Sequence, residues 1–350
     1  MELGIGMFGD LSFDPATGKP REAKLKLQEI LEQIKLADEV GLDVFGLGEH
    51  HRPDYAVSSP EIVLAAAASI TKNIKLASTV TVLSSAEPVK VYQDFSTIDL
   101  ISNGRAEIAV GRGSFIESFP LFGYNLKDYN QLFEEKLDLL LNINNNEVVN
   151  WKGSLRAPLI NQTVLPRATN NGKLPVWIAV GGTPESVLRA AKLGLPLIIA
   201  IIGGRPEQFQ PLVEYYKGEY VRHGHDVNQM QIGIHSHSFV SNNRTIIDDY
   251  YSNYASQMDR IGSSRGWPPY SKMQYNGGRS KDGALFIGNA SEVADKILYM
   301  HELFGITRFI GHMDVGDPSH ANMMKSIEIF GKEIAPQVRK ALATTTAVTA

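Results

Sequence analysis

Eight apolar runs of strand length recur along the chain, each followed by a stretch with helical periodicity, and this alternation limits the fold more than any other feature. The runs cover residues 3–8, 44–48, 74–83, 106–110, 176–180, 197–202, 231–240 and 308–312. Strands interleaved with helices predict βαβ crossovers and a parallel sheet. The helices carry readable punctuation. Gly41 and Gly104 stop two of them, and Ser59-Pro60-Glu61, Thr183-Pro184-Glu185 and Ser291-Glu292 start others. Eight βα units in 350 residues fit an α/β fold of the (β/α)₈ TIM-barrel type with insertions better than a shorter doubly wound sheet. Residues 1–340 are expected to form a single barrel domain.

Two stretches interrupt the rhythm. Residues 147–166 are rich in Asn and Pro and read as a hairpin insertion. Residues 262–283 combine Gly, Ser, Pro, Arg and Lys without a period, and a loop of that length suggests a lid. The Ala- and Thr-rich tail, 341–350, shows no packing pattern and is expected to fray.

Composition narrows the function classes. With 43% hydrophobic residues the chain can bury a large core. A net charge of −4 gives no general attraction to nucleic acid or anionic membrane. The absence of cysteine removes thiolate nucleophiles, disulfides and Cys-ligated metals. No apolar run approaches the ~20 residues of a membrane span, and Met1 to Asp10 has no signal-peptide pattern. A cytoplasmic protein without a nucleic-acid or membrane partner is expected.

Chemistry-bearing residues gather at strand ends, where α/β folds place their sites. Glu49-His50-His51 closes the second run; imidazole is the side chain suited to moving protons near neutral pH. Adjacent residues at a strand end point apart, so one of the two histidines should face the centre. Gly111-Arg112-Gly113-Ser114 closes the fourth run and offers a cation with close backbone approach, which suits a phosphate. Gly181-Gly182-Thr183 feeds a helix start and exposes N–H groups at the positive end of a helix dipole. Gly4-Ile5-Gly6-Met7-Phe8-Gly9 matches G-x-G-x-x-G formally but lacks the preceding strand and following helix that a dinucleotide site needs. His235 and His237, two apart on a strand, share a face. Such a pair can bind a divalent metal if His50 or His312 joins it, but no carboxylate at another strand end completes a set, so no metal ligand is assigned. Ala65-Ala66-Ala67-Ala68 and the Phe95/Ile98/Ile101 face suggest close helix packing, inside the chain or in a homodimer.

The chain resembles the bacterial luciferase-like flavin-dependent monooxygenases. The matching stretches are Leu47-Gly48-Glu49-His50-His51, Leu83-Ser84-Ser85-Ala86-Glu87-Pro88-Val89, Asp99-Leu100-Ile101-Ser102-Asn103-Gly104-Arg105 and Val110-Gly111-Arg112-Gly113. Farther along come Leu174-Pro175-Val176-Trp177-Ile178 with Gly181-Gly182, Ala190-Ala191-Lys192-Leu193-Gly194-Leu195-Pro196, and a closing Ile329-Phe330 with Ile334-Ala335-Pro336. They keep their order from the first strand to the last helix.

The resemblance implies a luciferase-like barrel that binds reduced FMN at its carboxyl end. The flavin would be supplied by a separate NAD(P)H-dependent flavin reductase, and dioxygen would add at flavin C4a. The resulting peroxyflavin would oxygenate a small organic substrate. His50 takes the position of the family's catalytic histidine. Ser78, Thr79, Arg112, Gly113, Gly181, Gly182 and Thr183 take positions that contact the cofactor. A non-prolyl cis peptide is implied near Ser78-Thr79-Val80. His51, His237 and His312 are expected to line the substrate side. A homodimer is implied as well. Gly111 stands where the light-emitting α subunits carry Cys, so bioluminescence is not expected. Three rival readings are an oxidoreductase of the same fold using coenzyme F420, a flavin-binding protein without turnover, and a metal-dependent barrel hydrolase.

Overall fold

Runs that are apolar over most of their length become strands covered on both faces, the usual state of parallel strands. A computed structural model describes residues 1–113 and 115–349. Ser114, the last residue of the Gly-Arg-Gly-Ser run, and Ala350 lie outside the described residues. Eight parallel strands close a barrel: β1 (Glu2–Met7), β2 (Val44–Leu47), β3 (Lys75–Val82), β4 (Ala106–Gly111), β5 (Val176–Val180), β6 (Leu197–Ala200), β7 (Ile232–Val240) and β8 (Arg308–His312). Pairing of β8 with β1 completes the ring, from Glu2↔Arg308 to Gly6↔His312. All eight strands coincide with the expected runs to within two residues. A helical layer surrounds them, and no helix among the described residues is long and apolar enough to cross a membrane.

The outer helices start and stop where local chemistry dictates. Pro60, Pro88 and Pro184 occupy first-turn positions, where a missing N–H costs nothing. The helix Ala290–Phe304 begins with a reciprocal pair, Asn289 bonding the Glu292 N–H while Glu292 returns to the Asn289 N–H. That start lies two residues before the expected Ser291-Glu292.

Strand alternation fills the barrel interior in layers. At the amino end Arg308 donates to Glu107 at 2.6 Å, with Lys75 on the same carboxylate at 3.0 Å. The Arg308 guanidinium also stacks 4.1 Å from the Trp177 ring. Above this sit Val44 with Ile310, and Ala109 with Trp177 and Ile198. At the carboxyl end β1 and β2 contribute glycines on their inward faces. A Cβ on Gly46 would meet Thr79 Oγ1 at 2.5 Å, and one on Gly48 would meet the Phe8 ring at 2.2 Å. These absent side chains make room for the large ones of the site.

Residues 147–166 contain the antiparallel pair Val148–Trp151 and Leu159–Thr163. Other expectations need correction. Residues 262–283 are not an aperiodic loop: the helix Arg244–Ser263 runs into them, and a second helix, Lys272–Arg279, is capped by Ser271 and Gln274. A short strand, Phe286–Gly288, then pairs with the outer part of β7, at Ser238, Phe239 and Val240. The tail continues a helix, Ala335–Thr349, and Leu342 packs against the main core.

Candidate active site

The carboxyl ends of the strands enclose a cavity of about 460 Å³. Its floor is a set of rings built by four strand ends. Phe8 follows β1 and stands edge-on to His312 at 4.0 Å and to His50 at 4.7 Å between ring centroids. His50 lies between Tyr55, stacked at 4.2 Å, and Phe115, edge-on at 5.0 Å. Strand registry places His312 of β8 beside His237 of β7, and the His235 and His312 rings are 5.4 Å apart. The Tyr254 hydroxyl shares a 2.8 Å hydrogen bond with His237 Nδ1. Burial, with the neighbouring His312, Arg52 and His51 acting the same way, pushes the His50 imidazole down to about 3. Burial and His312 likewise bring His235 to about 3, and burial holds His237 well below the ordinary range. His50, His235 and His237 therefore present neutral imidazoles at working pH, each able to offer one N–H and one bare nitrogen.

Both histidines of the Glu49-His50-His51 run line the cavity, against the expectation that one would face away. Glu49 explains this. Its carboxylate accepts from the Val82 N–H at 2.8 Å and bonds His51 Nε2 at 2.7 Å, which turns His51 toward the opening and Phe122. On β3 the Thr79-Val80 peptide is cis, and the pairing with β4 shifts register there. Thr79 and Val80 line the cavity. Ser78 does not. Strand alternation points it outward, where its hydroxyl bonds the Ala109 carbonyl and N–H, both at 3.1 Å.

The opposite side of the cavity is cationic. Arg112 donates to Thr183 Oγ1 at 3.1 Å and to Asn130 Oδ1 at 2.9 Å, with its guanidinium 5.4 Å from the Tyr129 ring. Gly113 has φ of +81°, and its carbonyl accepts from the Tyr129 hydroxyl at 2.7 Å. Gly181 and Thr183 line the cavity, while Gly182, with φ of +124°, shapes the turn behind them. Thr183 precedes the helix Pro184–Leu193, so Arg112 and the positive end of that helix converge on one rim.

Sequence reading gave Phe8 no site role although it ends the first apolar run, and it missed Tyr55 and Phe115, which lie in loops without a motif. It also missed a carboxylate pair. Asp10 and Asp314 each bring a carboxylate oxygen within 4.8 Å of a His312 ring nitrogen, so acidic groups do stand at strand ends. Met313-Asp314 directly after the β8 histidine was the available signal. His235 and His237 are not part of that cluster.

A closed parallel barrel with its cavity at the carboxyl ends of the strands defines a (β/α)₈-barrel protein of the enzyme type. Residues 1–307 match the luciferase-like monooxygenases, and the chain belongs to that family of oxidoreductases. Over 331 residues it is 25% identical to the uncharacterized protein y4vJ of Sinorhizobium fredii, covering 90% of this chain and 93% of that one. It is 30% identical to the N-acetyl-S-alkylcysteine monooxygenase of Bacillus subtilis over 196 residues, 54% of this chain and 56% of the relative. The fold superposes on the monooxygenase RslO1 from Streptomyces bottropensis with a TM-score of 0.82 at 20% identity, covering 96% and 99% of the two chains. The coenzyme F420-dependent tetrahydromethanopterin reductase of Methanopyrus kandleri shares the fold at a TM-score of 0.70 and 17% identity, covering 97% and 100%.

Proposed function

We propose that the protein is a flavin-dependent monooxygenase that uses reduced FMN and dioxygen to oxygenate a small organic substrate. One observation carries this reading: the neutral imidazoles of His50, His235 and His237 face a cationic rim across one cavity. The residues present fit FMN. Val80, Val82, Val180 and Ile198 give an apolar wall for a flat ring, and Arg112 with the Gly181–Thr183 turn suits its phosphate. A Cβ at Gly181 would meet nothing within 4 Å, so that approach is open. The relative from the CAM plasmid of Pseudomonas putida, an oxygenating constituent of 3,6-diketocamphane monooxygenase, is described in complex with FMN; it has 20% identity and a TM-score of 0.74, covering 97% of this chain and 99% of that one.

Reduced FMN, when bound, supplies two electrons to dioxygen, so that one oxygen atom enters the substrate and the other leaves as water. The chain's own groups exclude water and move protons. Phe8, Tyr55 and Phe115 keep the region around His50 dry. His50 stays neutral and governs protonation at the reacting groups by hydrogen bonding, its N–H donating and its other nitrogen accepting. Thr79 flanks the ring wall, Gly113 brings backbone to the rim, and His51, His237 and His312 line the remaining side. Reduced flavin is delivered by a separate NAD(P)H-dependent reductase. The exposed Ile62, Ile70, Leu100 and Ile101 on neighbouring helices support a homodimer.

Anaerobic titration of the apoprotein with FMN and with photoreduced FMN, followed by admission of air, tests the reading. Tight binding of the reduced form and a flavin spectrum that changes in steps with oxygen support it. Failure to bind either form overturns it and makes coenzyme F420 the next ligand to titrate.

A further inference from the structure

Behind the cavity floor lies a buried charge cluster that the proposed chemistry leaves unused. Asp10, Asp314 and His312 are each 2% exposed or less. Asp314 is saturated. It accepts from the N–H groups of Phe8, Gly9 and Asp10 at 3.0, 2.8 and 3.2 Å, and it lies 3.3 Å from both His312 Nε2 and Lys26 Nζ. Asp10 differs. Its Oδ2 accepts from the Gly316 N–H at 2.9 Å, while Oδ1 is buried without a partner.

Charge counting decides what Asp10 carries. Lys26 is shared by Asp314 and, at 3.1 Å, by Asp317; Arg21 binds Asp317 at 3.2 Å and also holds Glu29. The neighbouring Asp54 is held by Arg52 at 2.9 Å, and Tyr55 and Tyr250 add no cation. Asp10 thus forms no ion pair, and Lys26, the nearest cation acting on it, is held directly by two other carboxylates. A buried, unpaired carboxylate neutralises instead of remaining ionised. A metal ion is a poor alternative, because both oxygens of Asp314 already accept protein donors and the Lys26 ammonium sits against one of them. Burial and then Asp314 raise the Asp10 carboxyl well above its ordinary range, against the opposing Gly316 N–H and Lys26.

We propose that Asp10 is a positioning residue that rests as a neutral carboxylic acid and stores the proton that His312 exchanges with the cavity. His312 lines that cavity, and its Nδ1 has no protein partner. Asp10 and His312 make no direct hydrogen bond, their polar atoms lying within 4.8 Å, so the proton crosses one bridging water to the nitrogen that Asp314 does not hold. Transfer leaves an aspartate and an imidazolium, the latter flanked by the Asp314 carboxylate, so total charge is conserved. Donation from His312 to the bound reactants returns the imidazole to neutrality and leaves Asp10 ionised. Solvent water returns the proton to Asp10 after turnover. The part played in oxygenation rests on the monooxygenase reading; the protonation state of Asp10 does not.

Infrared difference spectroscopy of the whole protein at neutral pH tests the stored proton. The wild type is expected to show a carboxylic-acid carbonyl band that shifts in D2O and on labelling aspartate carboxyls with carbon-13. The band is expected to vanish in Asp10→Asn, which keeps an acceptor for the Gly316 N–H. Labelling reads the wild type directly, so the result stands even if the variant folds poorly. A missing band overturns the proposal, as does calorimetric binding of Mg2+, Mn2+ or Zn2+ that Asp10→Asn abolishes.

In turnover, Asp10→Asn and His312→Gln are each expected to lower oxygenation by roughly tenfold or more and to displace one limb of its pH profile, with flavin affinity retained. A wild-type rate and profile in both variants overturns the transfer to His312. The two readings fail separately: a missing band leaves the flavin titration untouched, and a failed titration leaves the band.

Discussion

Arg112 at the end of β4 donates from Nη2 to Thr183 Oγ1 at 3.1 Å, which joins it to the turn beyond β5. The guanidinium is therefore fixed at the same rim as the helix that Thr183 precedes. Arg112→Ala should weaken FMN binding by roughly tenfold or more, on the scale of about 1.5–3 kcal/mol for a hydrogen bond to a charged group. Riboflavin, which lacks the phosphate, should bind nearly as before. Equal losses for the two flavins in a fluorescence titration would remove the phosphate role.

His50→Ala should cut substrate-linked oxygen uptake by roughly a hundredfold or more, the usual loss when a general acid or base is deleted. Flavin affinity should largely survive, because the rim residues are untouched. Oxygenation near the wild-type rate would show that the proton is handled elsewhere.

Acid should destabilise the fold through the buried imidazoles. His235 titrates near 6.5 when unfolded and at about 3 in the folded chain, so between those values only the unfolded state takes up the proton. The stabilisation is complete above about pH 6.5 and declines as pH falls toward 3, by about 1.4 kcal/mol per unit. His235→Gln should therefore lose about 2 kcal/mol less than the wild type between neutral pH and about pH 5. Urea midpoints at the two pH values measure this, and parallel losses in both proteins contradict it.

Arg308→Met should cost about 3 kcal/mol of unfolding free energy, because it strips Glu107 of a buried partner while Lys75 remains. Flavin binding at the other end of the barrel should be unaffected. A denaturation midpoint equal to that of the wild type would show the pair to be dispensable.

Legibility in the sequence followed the physics of each element. The barrel strands were readable because mostly apolar runs of four to nine residues, alternating with helical stretches, have few other uses. His50, Arg112 and Thr183 were placed at strand ends because each comes within three residues of the end of such a run. The helix Lys272–Arg279 was obscured by Gly277 and Gly278, although Ser271 and Gln274 spelled out its cap. The strand Phe286–Gly288 is too short to carry a period of its own. Ser78 was misplaced because a resemblance to a motif does not say which face of a strand a residue occupies. Asp10, Asp314 and Lys26 went unread as a unit because three separate elements bring them together only in the fold.

The pairing of Phe286–Gly288 with the outer part of β7 fastens both ends of the excursion that runs between them. The hydrogen-bonded ring of eight strands closes without any contribution from that excursion. The rim that Arg112 and Thr183 form beyond β4 and β5 draws on no residue of the excursion. The clasp thus holds the excursion as a brace on the outside of the barrel, bearing on the cavity floor through the Tyr254 hydroxyl on His237.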